Sequence, residues 1–336
     1  MNFLNVVWTY ARLTRPVNLL MIGLLQWALH AWLIMPLLMP YHIDPATPLL
    51  IFWIFFSSII LIAAGGYVIN DYFDMRIDAM NKPESVIVGE LVTKKAARHF
   101  YLVLTILGAV PGFFVALHAH STMLAIVIFL LIGLLWFYSS TYKRQFVIGN
   151  VIVAFVVALV PIAIVALEQS FLSLRYGDLL DFTRIPSKLY AWAGGYALFA
   201  FLLTWIREVV KDLEDEPGDR ALECRTMPVK WGTKRTKLFL YGLIVVTLLL
   251  LYKVVNAIEF PDDFITMPYF LIGIVLPFAL IMFRLWKAHN SSNFHQISFI
   301  LKIIMLIGIG YTLVFYFLQA ITGQFPFFGW MITPSN

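Results

Sequence analysis

Residues 48–78 read "PLLIFWIFFSSIILIAAGGYVINDYFDMRID". No ionisable side chain occurs before Tyr67 or, apart from that tyrosine, before Asp71; three aspartates then follow at Asp71, Asp74 and Asp78. A run of about 20 apolar residues crosses the hydrocarbon core of a bilayer as a helix. Carboxylates placed against such a run are costly, and functional by default. The stretch predicts a membrane-spanning helix with chemistry at its end.

The rest of the chain agrees. Of its 336 residues 61% are hydrophobic and 13% charged, where soluble domains carry about 25% charged residues. Runs long enough to span occur near 17–39, 48–70, 99–117, 121–140, 146–167, 188–207, 237–256, 267–286 and 298–320. None shows sustained alternation, and open strands cannot satisfy their backbone in lipid. The expected fold is all-α, a polytopic bundle of nine transmembrane helices forming a single domain over 1–336.

Nine spans place the N-terminal arm and the loops after spans two, four, six and eight on one side. That side holds all of the 24 Lys and Arg except Arg175, Arg184, Lys188 and Lys253. Basic excess marks the cytoplasmic face, so the expected N-terminus is cytoplasmic and the C-terminus opposite, in a cell inner membrane. The net charge of +5 is thereby explained by topology. Nucleic acid is not an expected partner, and no partner protein is required. The opening "MNFLNVVWTYARLTRP" lacks a basic start and a small-residue cleavage site and is not read as a removable signal. Cys224, the single cysteine, cannot form an internal disulfide.

The acidic pattern recurs. In "REVVKDLEDEPGD" (207–219), Asp212, Asp215 and Asp219 repeat the i, i+3, i+7 spacing of Asp71, Asp74 and Asp78, offsets that fall within about a 60° arc of a helix. The first triplet is expected to stay helical. In the second, Pro217 and Gly218 are expected to end the helix and leave Asp219 on a turn. Four spans separate the triplets, which returns both to one side and suggests two four-helix pseudo-repeats (about 12–145 and 146–290) plus a ninth helix. Six converging carboxylates repel one another unless a cation joins them. Mg²⁺ takes a few carboxylates together with phosphate oxygens, so the two clusters are suited to hold a diphosphate between them. The greasy chamber behind them suits a hydrocarbon tail.

These residues resemble the UbiA-type intramembrane prenyltransferases. That family has nine transmembrane helices and two aspartate-rich cytoplasmic motifs, the first similar to "NDYFDMRIDAMNKP" (70–83). In "YSSTYKRQFVIGN" (138–150), Tyr138, Lys143, Gly149 and Asn150 fall on a further family pattern. The second acidic motif and "LTRPVNLL" (13–20) are most similar to the geranylgeranylglyceryl-phosphate geranylgeranyltransferases. In one departure, Ser85 stands where many relatives carry Arg, which leaves a phosphate contact to Lys82, Lys94 or Lys95.

The resemblance implies Mg²⁺-dependent transfer of a prenyl group from a prenyl diphosphate to a lipophilic acceptor inside the lipid bilayer, with geranylgeranylglyceryl phosphate as favoured acceptor. Asp71, Asp74, Asp212 and Asp215 are the leading metal-holding and catalytic candidates, and Asp78 and Asp219 the outer ones. Asn70 offers an amide to the metal or diphosphate. Lys143 and Arg207, with Lys211 behind them, would neutralise the leaving group, as cations do where charge develops. Tyr138 either bonds the leaving group or anchors at the interface. Asn18 and Asn150 either line the cavity or bond neighbouring helices. His118 and His120, on the opposite side, are read as surface. Alternatives are an aromatic acceptor, a terpene cyclase, and a transporter. Acids clustered at one membrane face, rather than at the midplane, disfavour the last.

Overall fold

The computed structural model of the chain describes residues 3–81, 83–258, 260 and 263–329. Lys82 lies outside the described residues, as does the Ser85 side chain. Among the described residues a short helix α1 (Phe3–Leu13) precedes nine helices long and apolar enough to span: α2 (Pro16–Tyr41), α3 (Leu49–Asn81), α4 (Lys94–His118), α5 (Thr122–Ser140), α6 (Ile148–Phe182), α7 (Ile185–Ala221), α8 (Met227–Ala257), α9 (Thr266–Lys287) and α10 (Ser291–Gly323). Among the described residues there is no strand, only an isolated bridge between Val88 and Val92.

Each expected span lies within, or within about two residues of, one of these helices. Proline shapes them without breaking them. α2 and α9 each widen into one π-turn, His30–Ile34 and Leu271–Val275, just before Pro36 and Pro277. A proline removes one backbone donor, and the wider turn absorbs that loss.

Two large apolar clusters hold the bundle. One joins α2, α3, α5 and α6 to the first half of α7 through residues such as Phe52, Phe55, Ile128, Ile164 and Leu189. The other joins the second half of α7 to α8, α9 and α10 through Ile206, Leu240, Phe278 and Leu301. α7 and α10 reach into both, α10 through Ile309 and Phe315 in the first and Leu301 and Ile304 in the second, and α7 carries the second acidic motif.

One expectation fails. α7 does not stop at Pro217–Gly218 but continues to Ala221, so Asp219 is helical and buried. The local breaker is overruled by partners from other helices. The Gly218 N–H donates to Asn81 Oδ1 at 2.9 Å, and the Glu214 carbonyl accepts from the Ser291 hydroxyl at 2.8 Å. Buried backbone groups require such partners, and here neighbouring helices supply them.

Candidate active site

α3 and α7 are longer than a crossing requires. At 1.5 Å per residue their 33 and 37 residues extend about 50 and 55 Å, against a hydrocarbon core of about 30 Å. Each carries its aspartate triplet on the surplus.

The two triplets are tied together by Asn81. Besides accepting from Gly218, its amide donates to the Asp215 carbonyl at 3.2 Å. Gly218 permits this approach, because a Cβ there would stand 2.3 Å from Asn81 Oδ1. Gly218→Ala is therefore expected to expel the Asn81 side chain and let the acidic faces shift. Turnover should fall about 10- to 100-fold, as misplacement by about 1 Å does. Thermal stability should fall by only about 1–2 kcal/mol for two lost hydrogen bonds. Gly133→Ala, where a Cβ meets nothing within 4 Å, is the control and should change neither. Equal turnover in both variants would remove Asn81 from the site.

Cations interleave with the acids. Arg15 adopts a positive φ of 51° at the corner before Pro16, a residue whose ring disfavours the right-handed helical region just before it. The guanidinium binds Asp71 at 2.6 Å. The short turn Tyr142–Arg144 delivers Lys143 to Asp74, with Asn70 Oδ1 at 3.4 Å. Gly149 sets this turn: its Cβ would lie 2.5 Å from the Tyr142 carbonyl oxygen. Burial opposes the Lys143 charge, but Asp74 outweighs it and holds the ammonium above the usual lysine range. On α7, Arg207 and Lys211 both bind Glu208, each at 3.0 Å, and Asn150 donates to Asp212 at 2.8 Å. Asp78 interacts electrostatically with Lys143, Asp74 and Asp71, and Asp219 with Asp215, Lys143 and Asp74. The two acidic faces thus share one field with Lys143 within it.

Behind this rim lies one long cavity. Its polar end is walled by Arg15, Asn18, Asn70, Tyr138, Lys143 and Arg207, and it runs inward past Leu25, Ile59, Val156, Phe199 and Ile309. Tyr138 is a buried cavity wall rather than an interfacial anchor. Asn18 lines the chamber, while Asn150 fixes Asp212. Lys94 sits over the Tyr72 ring and Lys95 is exposed. His118 and His120 are exposed at the other end.

A divalent cation suits this donor set. Asp74 is 1% exposed, and its Oδ1 has no hydrogen-bond donor among the described residues while Oδ2 faces Lys143. Such a desolvated oxygen needs a positive partner. Among the described residues no three acidic, histidine or cysteine side chains stand together as a complete metal cage.

Four residues escaped the sequence reading: Arg15, Asn81, Glu208 and Lys302. Arg15 passes for a topology-setting charge, Glu208 is hidden among its acidic neighbours, and Asn81 looks like ordinary helix-end polarity. Lys302 carried a usable signal, being a lone charge four residues inside the expected ninth span.

Comparison with known proteins agrees with this architecture. Residues 27–306 match the UbiA prenyltransferase family. Over 255 residues the chain is 28% identical to digeranylgeranylglyceryl phosphate synthase of Methanosphaera stadtmanae, covering 75% of this chain and 83% of that one. A structure giving insights into the biosynthesis of digeranylgeranylglyceryl phosphate synthase in membranes superposes with a TM-score of 0.59 and 25% identity, over 93% of this chain and 99% of the other. A UbiA homologue from Archaeoglobus fulgidus bound to GPP and Mg²⁺ shares the fold, with a TM-score of 0.56 and 17% identity over 90% of this chain and 98% of that one. With nine spanning helices, two facing aspartate motifs and a family match over most of its length, this integral membrane protein belongs to the UbiA prenyltransferase family.

Proposed function

We propose that this prenyltransferase makes digeranylgeranylglyceryl phosphate, moving a geranylgeranyl group from its diphosphate to the free hydroxyl of geranylgeranylglyceryl phosphate. The observation that carries the reading is a cavity with an apolar inner wall whose rim cations Arg15 and Lys143 bind Asp71 and Asp74 and whose rim includes Arg207, Glu208 and Lys211 of the second acidic stretch. The name of the Methanosphaera stadtmanae relative supports the choice of acceptor.

In this reading Asp71, Asp74, Asp212 and Asp215 hold Mg²⁺, with Asp78 and Asp219 behind them. The bound metal supplies charge neutralisation to the leaving diphosphate. Lys143, Arg15 and Arg207 share that task from the protein side, and Asn70 orients a diphosphate oxygen. The C1–O bond of the donor breaks with its electron pair on the diphosphate. The acceptor hydroxyl oxygen then bonds to C1 and gives its proton to the departed diphosphate. Tyr67, Tyr138, Tyr196 and Phe199 line the chamber, where aromatic rings favour an allylic cation and the apolar wall keeps water away. We place the N-terminus and the mouth of the chamber on the cytoplasmic side, because the acidic rim lies at the end where the basic loops gather.

The test is product analysis. Purified protein in detergent receives labelled geranylgeranyl diphosphate, Mg²⁺ and a panel of acceptors. An ether product formed only with geranylgeranylglyceryl phosphate is the expected result. Product with 4-hydroxybenzoate or homogentisate instead would replace the acceptor class, and diphosphate release with no acceptor would indicate cyclisation.

A further inference from the structure

A second cavity opens beside the first, between the start of α2, the end of α7 and the first turns of α10. It shares Arg15, Asn18, Arg207, Lys211 and Lys302 with the main chamber and adds Glu214, His295 and Ser298. Among the described residues no aspartate of either motif lines either cavity directly; Asp71 and Asp74 reach the first through Arg15 and Lys143.

Its charge is unbalanced. Four permanent cations line it with one carboxylate, Glu214. Asp71 is bonded to Arg15, and Glu208 is shared by Arg207 and Lys211. Among the described residues Lys302 has no ion pair, and its electrostatic neighbours are Arg207, Lys211 and Arg15, all positive, against the one carboxylate Glu208, which Arg207 and Lys211 already share. Lys302 is also the one charge in the interior of α10, about 16 Å along the helix from Ser291. A lysine within a spanning helix, crowded by like charges, is expensive unless an anion comes to it. A phosphomonoester carries a charge near −2 at neutral pH, with a second pKa of about 6, and offers several acceptor oxygens.

We propose that this second cavity, with Lys302 and the Arg207–Lys211 pair at its centre, seats the phosphomonoester of the prenyl acceptor. The inference rests on the acceptor class proposed above. Arg15, Arg207 and Lys211, common to both cavities, hold the two anionic heads side by side, so a headgroup in the second cavity presents its neighbouring hydroxyl to the donor in the first. The seat selects phosphorylated acceptors over neutral ones. Lys302 is then a specificity-determining residue that the donor does not require.

The test uses the full chain in detergent, with titration calorimetry of decyl phosphate as the probe. Lys302→Gln is expected to weaken decyl phosphate at least about thirtyfold, the smallest loss that removing one partner of a charged contact produces. Lys302→Arg should restore affinity to within about threefold, since it keeps the charge. Geranylgeranyl diphosphate affinity in Mg²⁺ should stay within about twofold in both variants, and unchanged thermal unfolding shows that they fold. Decanol should not bind. Unaltered decyl phosphate affinity in Lys302→Gln, or an equal loss for the donor, overturns the proposal. So does equal binding by inorganic phosphate, which makes the site one for free phosphate, or equal competition by phosphatidylglycerol, which makes it one for bilayer lipid. Lys302-dependent decyl phosphate binding without turnover of geranylgeranylglyceryl phosphate would leave the seat standing and remove the acceptor. Turnover with Lys302-independent binding would do the reverse.

Discussion

Asp74→Asn is expected to give a membrane-inserted, folded protein that turns over geranylgeranyl diphosphate about a thousandfold more slowly, the upper range for losing one preorganised charge at a reacting centre. Asp74 is the most enclosed carboxylate of the first motif, and it is the counter-charge of Lys143. Asparagine keeps the shape and one acceptor oxygen but not the charge. The fold should tolerate the change because Lys143 is 31% exposed and still reaches water.

The same variant has a pH signature. In the native protein Lys143 titrates above the usual lysine range because Asp74 outweighs the effect of burial. A raised lysine pKa contributes stability that is complete below the unfolded-state pKa and is lost only as pH rises through the folded-state value. Lys143 therefore stays charged throughout the neutral range. Without Asp74 the leading attraction on the Lys143 ammonium is gone and the pKa falls. Residual donor affinity in Asp74→Asn should then decline as pH rises through mildly alkaline values, while native affinity changes less. Donor affinity measured across pH, beside thermal unfolding and product formation, checks all three claims. Turnover within tenfold of native would remove Asp74 from the site.

Chelation should have the larger effect still. EDTA is expected to abolish product formation and Mg²⁺ to restore it. Because Mg²⁺ is held by one or two carboxylates together with substrate phosphate oxygens, cation and diphosphate should bind as a unit. Calorimetry should show donor affinity at least about a hundredfold lower in EDTA, equivalent to about 2.7 kcal/mol, and by reciprocity weak Mg²⁺ binding without donor. In Asp74→Asn the Mg²⁺ concentration giving half-maximal donor binding should rise, a readout that needs no turnover. Full-rate product formation in EDTA would end the metal assignment.

The nine spans could be read directly from the chain, since crossing the bilayer is a requirement on about 20 consecutive residues. The twin aspartate triplets and Lys143 stood out for a related reason: their spacing is a property of one helix or one turn. Beyond that range the reading failed in particular ways. Pro217–Gly218 looked like a helix end because its rescuers, Asn81 and Ser291, lie 136 and 74 residues from Pro217 along the chain. Arg15 looked like a boundary charge because a charge near a span end has the same sequence appearance whether it meets water, a headgroup or an ion-pair partner. Spans and motifs are written in short windows of sequence. Which acid meets which cation, and which cation is left over, depends on how separate helices pack, and only the assembled bundle decides that.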